Sequence, residues 1–352
     1  MRAWIVTFVF LFACTSPGSH KKQATTFNIQ PNWVLQESGV EASLRGIFVV
    51  DKDVVWASGS NGTFLKTVDG GINWFSDTIS GYTNFDFRDI EAFDSLTAIV
   101  MGIANPAVIL KTTDGGKNWK QVYYKNQEGI FLNSMIFRDK DHGFVVGDPI
   151  DGKFFLLFTR DGGETWKELP AESRPLAEEG EYMFAASGTC IASTKPNNLW
   201  FCSGGSIARI FHSKDDGYSW EDSNIPVMSG TPSSGIFSIL FPGDNNGYCI
   251  GGDYARPDST GLTFMFTNDN GETWHRPENS PAGYRSCIKE IKVDGISMLV
   301  AVGREGTGYS IDGGQNWLSL GDNGFYTLDV DAKGENAWAA GTDGKVARLL
   351  IE

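Results

Sequence analysis

Basic residues are scarce in this chain. Its 352 residues include 29 Lys and Arg against 43 Asp and Glu, for a formal net charge of −14. A surface this acidic repels phosphate backbones, which argues against nucleic acid as a partner. Histidine is rarer still. The four, His20, His142, His212 and His275, are scattered without ligand spacing, so no metal site is expected. No apolar run reaches the roughly 20 residues that a membrane-spanning helix needs. There is no Gly-x-Ser-x-Gly elbow and no EF-hand loop. Gly303 to Gly308 is glycine-rich, but it lies between strands with no helix after it, so it is not a dinucleotide fingerprint and no cofactor is expected. Of the five cysteines, Cys190, Cys202, Cys249 and Cys287 follow neither a disulfide-scaffold nor a zinc spacing. Cys190 and Cys202 flank a turn and could pair across a hairpin. Otherwise all four are buried free thiols.

What is present is aromatic residues, at 13%, and glycine, at 42 residues against 13 prolines. That excludes global disorder and suggests short strands joined by tight turns. One pattern, Ser/Thr-x-Asp-x-Gly-x-x-Trp, occurs six times. The copies run from Thr67 to Trp74, Thr112 to Trp119, Thr159 to Trp166, Ser213 to Trp220, Thr267 to Trp274 and Ser310 to Trp317. Their acids are Asp69, Asp114, Asp161, Asp215, Asp269 and Asp312, at steps of 45, 47, 54, 54 and 43 residues. A short carboxylate can accept N–H bonds from the turn that follows it, Gly supplies the positive φ, and Trp anchors the packing. These aspartates are therefore structural, neither catalytic nor metal ligands.

A second pattern precedes each box: an alternating strand, a turn, and a strand ending in glycine. It occurs seven times, the last at Tyr326 to Gly341, followed by Lys345 to Leu350 with no box. The segment Asn32 to Gln36 reads as a strand that should follow a box, with none before it. The expectation is an all-β, seven-bladed β-propeller over residues 31–352 whose ring is closed by this N-terminal strand. Six blades plus a cap is the alternative. Seven blades over about 320 residues gives about 46 each, within the range of propeller repeats. Closure removes the open sheet edge, and a monomer is expected.

The chain begins with a positive Met1-Arg2-Ala3 and an apolar run to Ala13, the pattern of a secretory signal. Leu11-Phe12-Ala13-Cys14 resembles a bacterial lipobox, which implies lipidation of Cys14 and a polar tether over residues 14–30. The other reading is an ordinary cleaved signal with Cys14 a bystander. The address expected is an exported lipoprotein of a bacterial envelope, facing the periplasm or the cell surface.

The boxes resemble the Asp-box, or BNR, repeat, which joins the third and fourth strands of a propeller blade. Taken whole, with Phe184 to Thr189, Gly235 to Ile239, Gly251 to Tyr254 and Tyr284 to Cys287, the chain resembles the photosystem II stability/assembly factor propellers. Specifically, it is similar to a subgroup from non-photosynthetic bacteria often labelled oxidoreductase or glycosyl hydrolase. The resemblance implies a non-enzymatic protein-binding or assembly scaffold and no more; the partner expected is an envelope protein or a glycan.

If boxes mark one rim, the turns after each second strand and the links between blades mark the other. The longest insertions, Glu168 to Ala186, Glu221 to Ser234 and Asp253 to Leu262, belong to that other rim, where function is expected. Arg45, Arg88 and Arg285 should converge there. Asp148, Arg209, Asp253, Tyr254, Arg256 and Arg304 should approach it from the ends of second strands. Three arginines in an acidic chain would attract an anion, unless each merely pairs with a nearby acid and ties blades together. Sialidases share the Asp-box propeller, so a glycan-binding or glycoside-hydrolase-like role is the alternative. No Arg-Ile-Pro motif exists here, and Phe87-Arg88-Asp89-Ile90 resembles it only faintly. A glycosidase needs two carboxylates, and Glu179, Glu181, Asp148 and Asp253 are the candidates.

Overall fold

The structure, a computed structural model, describes residues 30–194, 197–243 and 245–351. The signal sequence, Cys14 and the tether lie outside these residues. The chain forms seven antiparallel sheets arranged as propeller blades. Blade 1 contains Leu44–Val49, Val55–Gly59, Thr63–Thr67 and Phe75–Thr78; blade 2 contains Phe87–Ala92, Ala98–Gly102, Ala107–Thr112 and Lys120–Lys125. Blade 3 contains Leu132–Phe137, Gly143–Ile150, Lys153–Thr159 and Lys167–Glu168; blade 4 contains Ile191–Thr194, Asn198–Cys202, Arg209–Ser213 and Glu221–Asn224. Blade 6 contains Cys287–Val293, Ile296–Gly303, Gly306–Ser310 and Leu318–Gly321.

Blade 7 is made from both ends of the described chain. Thr327–Val330, Ala337–Ala340 and Val346–Ile351 are completed by Pro31–Gln36, which pairs antiparallel with Val346–Ile351 from Pro31↔Ile351 to Gln36↔Val346. Blade 5 departs from the pattern. Its fourth strand shrinks to one bridge, Phe266↔His275. Its first strand, Ser234–Gly243, instead pairs with the short Gly204–Gly205, which in turn pairs with Glu181–Tyr182. That edge exists because Gly204 and Gly235 lie backbone to backbone. A Cβ on Gly235 would sit 2.3 Å from the Gly204 Cα.

The inner strands are buried on both faces because each blade is covered by two others. Val55–Gly59 and Ala98–Gly102 are buried at every position, so they read as continuous apolar runs. The outer strands, such as Phe75–Thr78, are mostly exposed. Each box joins the third and fourth strands of its blade. In the second, Asp114 Oδ1 accepts the Thr112 hydroxyl and the Asn118 N–H, both at 2.9 Å, and Oδ2 accepts Asn118 Nδ2. The other five repeat this arrangement, with Asn, Thr or Ser in the place of Asn118. These bonds hold the box carboxyls below their ordinary values, at about 2 for Asp114, Asp161 and Asp269. The box also sets the distance between blades. A Cβ on Gly116 would lie 2.4 Å from the Phe64 ring of blade 1, and Trp119 packs edge-on against that ring at 5.2 Å. The four thiols Cys190, Cys202, Cys249 and Cys287 are buried and free.

Candidate functional site

The boxes lie at one end of the blades. At the other, the starts of first strands and the ends of second strands surround a central mouth. A cavity of about 390 Å³ opens there, lined by Arg45, Arg88, Asp148, Tyr254 and Arg304 among the residues expected from sequence. All three long insertions reach it or its rim. The first supplies Tyr182 to Ala186, the second Pro232 and the third Tyr254.

The arginines are aimed by a backbone device. In blade 1 the pairing skips from Leu44↔Gly59 to Gly46↔Ser58, leaving Arg45 in a β-bulge. Blade 2 skips Arg88, blade 3 skips Asn133 and blade 5 skips Phe237 at the corresponding place. A bulge adds a residue to one strand and redirects its side chain. Arg45, Arg88 and Phe237 all line the cavity, and Asn133 donates to its wall residue Asp148 at 2.8 Å.

Arg45 stacks on the Tyr326 ring, 3.9 Å from its centroid, and makes no ion pair or hydrogen bond with a described residue. Burial, and then the charge of Arg88, lower its pKa. Arg88 is tied to Asp86 at 2.7 Å, and Arg304 to Glu305 at 3.1 Å. The floor is aromatic. Phe184 stacks on Phe237 at 3.9 Å, and Tyr254 stands edge-on to both at 6.2 Å. Asp148 Oδ1 accepts Asn133 Nδ2 and the Met183 N–H, while burial pushes the carboxyl up to about 6.

Four expected site residues lie elsewhere. Arg285 is only 7% exposed and does not line the cavity. The chain has slipped by one residue relative to the expected alignment. The Arg285 N–H bonds to Gly251 in the preceding blade, as Leu44 bonds to Gly341 and Leu132 to Ile103. Arg285 thus takes the position that buries leucine in other blades, and its first strand lacks the bulge. Burial lowers it to about 10. Arg209 opens the third strand of blade 4 and is buried against Glu181, with Nε at 2.9 Å from Oε1, and also reaches Asp222. Asp253 is engaged by Arg256 at 2.9 Å. Of the four candidate carboxylates, only Asp148 lines the mouth; Glu181 and Asp253 are paired, and Glu179 is exposed away from it.

The segment Phe184 to Thr189 crosses the axis below the mouth. Ser187 Oγ donates to the Ser286 carbonyl, Thr327 Oγ1 donates to the Ser187 carbonyl, and Thr189 Oγ1 bonds Ser238 Oγ. Gly188, at φ +69°, lies against Asp89, where a Cβ would come within 2.4 Å of Oδ1. Beneath it is a second chamber of about 220 Å³ that the sequence reading missed, holding Asp89, Glu91, Lys289 and Asp329. Burial raises Asp89 and Glu91 well above the usual carboxylate range. Burial alone would lower Lys289, but Asp329, at 2.7 Å, outweighs it and raises the ammonium. The available signal was charge at alternate positions of inner strands, as in Asp89-Ile90-Glu91.

Comparison with known proteins gives the same architecture. The family model described as photosynthesis system II assembly factor YCF48 matches residues 26–129. The photosystem II stability/assembly factor HCF136, chloroplastic, of Arabidopsis thaliana is 26% identical over 232 residues. That match covers 62% of this chain and 52% of the relative, so the chain spans about half the length of the curated protein it matches. Among solved structures, YCF48 from Cyanidioschyzon merolae superposes with a TM-score of 0.62 at 18% identity, over 90% of this chain and 98% of that one. YCF48 bound to D1 peptide gives 0.59 at 18% identity, over 92% and 97%. The WD40 propeller domain of Doa1 gives 0.61 at 12% identity, over 90% and 97%, so these superpositions speak for the fold alone. The sequence matches, six boxes and seven blades together make the chain similar to the photosystem II assembly factor-like propellers.

Proposed function

We propose that this propeller is a non-enzymatic binding or assembly scaffold that seats a protein partner on its mouth face. One observation carries the reading: an arginine-bearing cavity over an aromatic floor in a strongly acidic molecule. Such a cavity concentrates an anionic partner locally although the molecule as a whole repels it. Its lining holds one carboxylate, Asp148, where glycoside hydrolysis uses two across the scissile bond. The relatives support the same reading. HCF136 is a stability/assembly factor, and YCF48 has been solved with a D1 peptide bound. The sequence of residues 1–14 adds an address, with the scaffold exported and held at a bacterial envelope by lipid on Cys14.

The test is affinity capture from the native envelope after brief cross-linking. Wild type is compared with an Arg45→Glu/Arg88→Glu/Arg304→Glu variant of equal thermal stability, and proteins and glycans are both identified. The expected result is one defined protein, recovered with wild type and lost with the variant. Recovery of glycan alone, or identical recovery with both, overturns the reading.

A further inference from the structure

The three mouth arginines are not equivalent. Arg88 and Arg304 each have an acid within ion-pair distance; among the described residues Arg45 has none. A guanidinium resting on an aromatic face leaves its N–H edge free for a planar, two-oxygen acceptor. The Tyr326 ring holds Arg45 in that posture. On the floor of the same cavity, Phe184, Phe237 and Tyr254 form a platform, and the Tyr254 side of it is 42% exposed. The segment Phe184 to Ala186 closes the floor, so the cavity is a dead end. Its volume of about 390 Å³ is at the small end of ligand pockets. It holds a residue or two, not a folded surface.

We propose that the cavity recognises one chemical unit, a carboxylate carried beside an aromatic or large apolar group. The carboxylate sits on Arg45 and the apolar group on the Phe184, Phe237 and Tyr254 platform. A partner chain can present this unit in two ways, as a free C-terminal residue or as an acidic side chain next to an aromatic one. The inference rests on the partner-binding reading above and assigns that site its specificity. Arg45 is the anchor, while Arg88 and Arg304, already neutralised, contribute a weaker general field.

The experiment titrates the purified protein with small probes, followed by saturation-transfer NMR and calorimetry. N-acetylphenylalanine carries the unit as a chain end, and acetyl-Phe-Glu-amide carries it as a side chain. N-acetylphenylalanine amide lacks the carboxylate, and acetate lacks the ring. At least one of the first two should bind at least tenfold more tightly than either of the last two, and the better of them names the source. Arg45→Gln should remove that preference, and Arg304→Gln should change it less than threefold. Arg45→Lys, which keeps charge and loses the fork, should fall between wild type and Arg45→Gln, and it serves if the glutamine variant folds poorly. Tyr254→Ala should weaken the ring-bearing probes. Equal binding of the acid and its amide, or unchanged binding in both Arg45 variants, overturns the proposal. Capture of a partner through the rim would still stand in that case, so the scaffold reading and this one fail separately.

Discussion

Asp148→Asn should stabilise the protein at neutral pH. The carboxyl stands in the mouth wall, where burial moves it from 3.8 to about 6. That difference corresponds to about 3 kcal/mol of preference for the protonated acid in the folded state. Below about pH 3.8 both the folded and unfolded states are protonated, and nothing is lost. As pH rises from 3.8 to 6 the unfolded chain releases the proton while the folded one still holds it, so stability falls. Above 6 the full penalty is present. Asparagine removes the charge and keeps an oxygen that can accept from Asn133 Nδ2 and the Met183 N–H, the two present donors. Thermal unfolding of both proteins between pH 4 and 8 reads the difference directly. The variant should melt about 3–6 °C higher at pH 7.5 for a chain of this size, with the gap closing toward pH 4. A gap that is independent of pH would show that the carboxyl does not titrate between the two states. A variant less stable at pH 7.5 would show that Arg45, Arg88 and Arg304 hold the carboxylate more strongly than burial opposes it.

Glu181→Gln breaks a buried pair. Glu181 is fully buried against Arg209 and also accepts from Ser203, so the variant should lose about 3–5 kcal/mol in urea unfolding. Its affinity for carboxylate probes should be unchanged, because neither residue lines the mouth. Asp161→Ala removes bonds to Thr159 and Thr165 in one box and should cost on the order of 1 kcal/mol at neutral pH. With the folded carboxyl lowered to about 2, that contribution is present above pH 3.8 and lost as pH falls through 2. Acid unfolding of the variant should therefore converge with wild type at the bottom of that window.

The architecture was legible because it is local and repeated. Each box spans eight residues and closes its own turn, so Asp69 or Asp114 can be understood without the rest of the chain. The face opposite the boxes followed from chain direction, which brought Arg45, Arg88, Asp148, Tyr254 and Arg304 together as expected. Arg285 failed because its placement depends on register. One residue of slip exchanged a mouth position for the buried place of Leu44. The bulges decide that register, and their trace is faint: apolar residues three apart, as in Leu44 and Ile47 or Phe87 and Ile90. The inner chamber was hidden for another reason. Asp89, Glu91, Lys289 and Asp329 come from three blades and meet only when the ring closes. The missing outer strand of blade 5 was equally invisible, since its box from Thr267 to Trp274 is intact.

The segment that crosses the axis changes how the ring should come apart. Repeat proteins contact mainly their neighbours, so they open piecemeal, one unit fraying before the next. Here Phe184 to Thr189, drawn from between blades 3 and 4, bonds to blades 5, 6 and 7 and lies against blade 2. No blade that touches it can leave without breaking contacts that belong to another. The protected amides of the inner strands should therefore exchange with solvent as one cooperative unit, while the exposed outer strands exchange earlier and independently. In that sense the molecule behaves as a wheel with an axle, whose hub fails all at once.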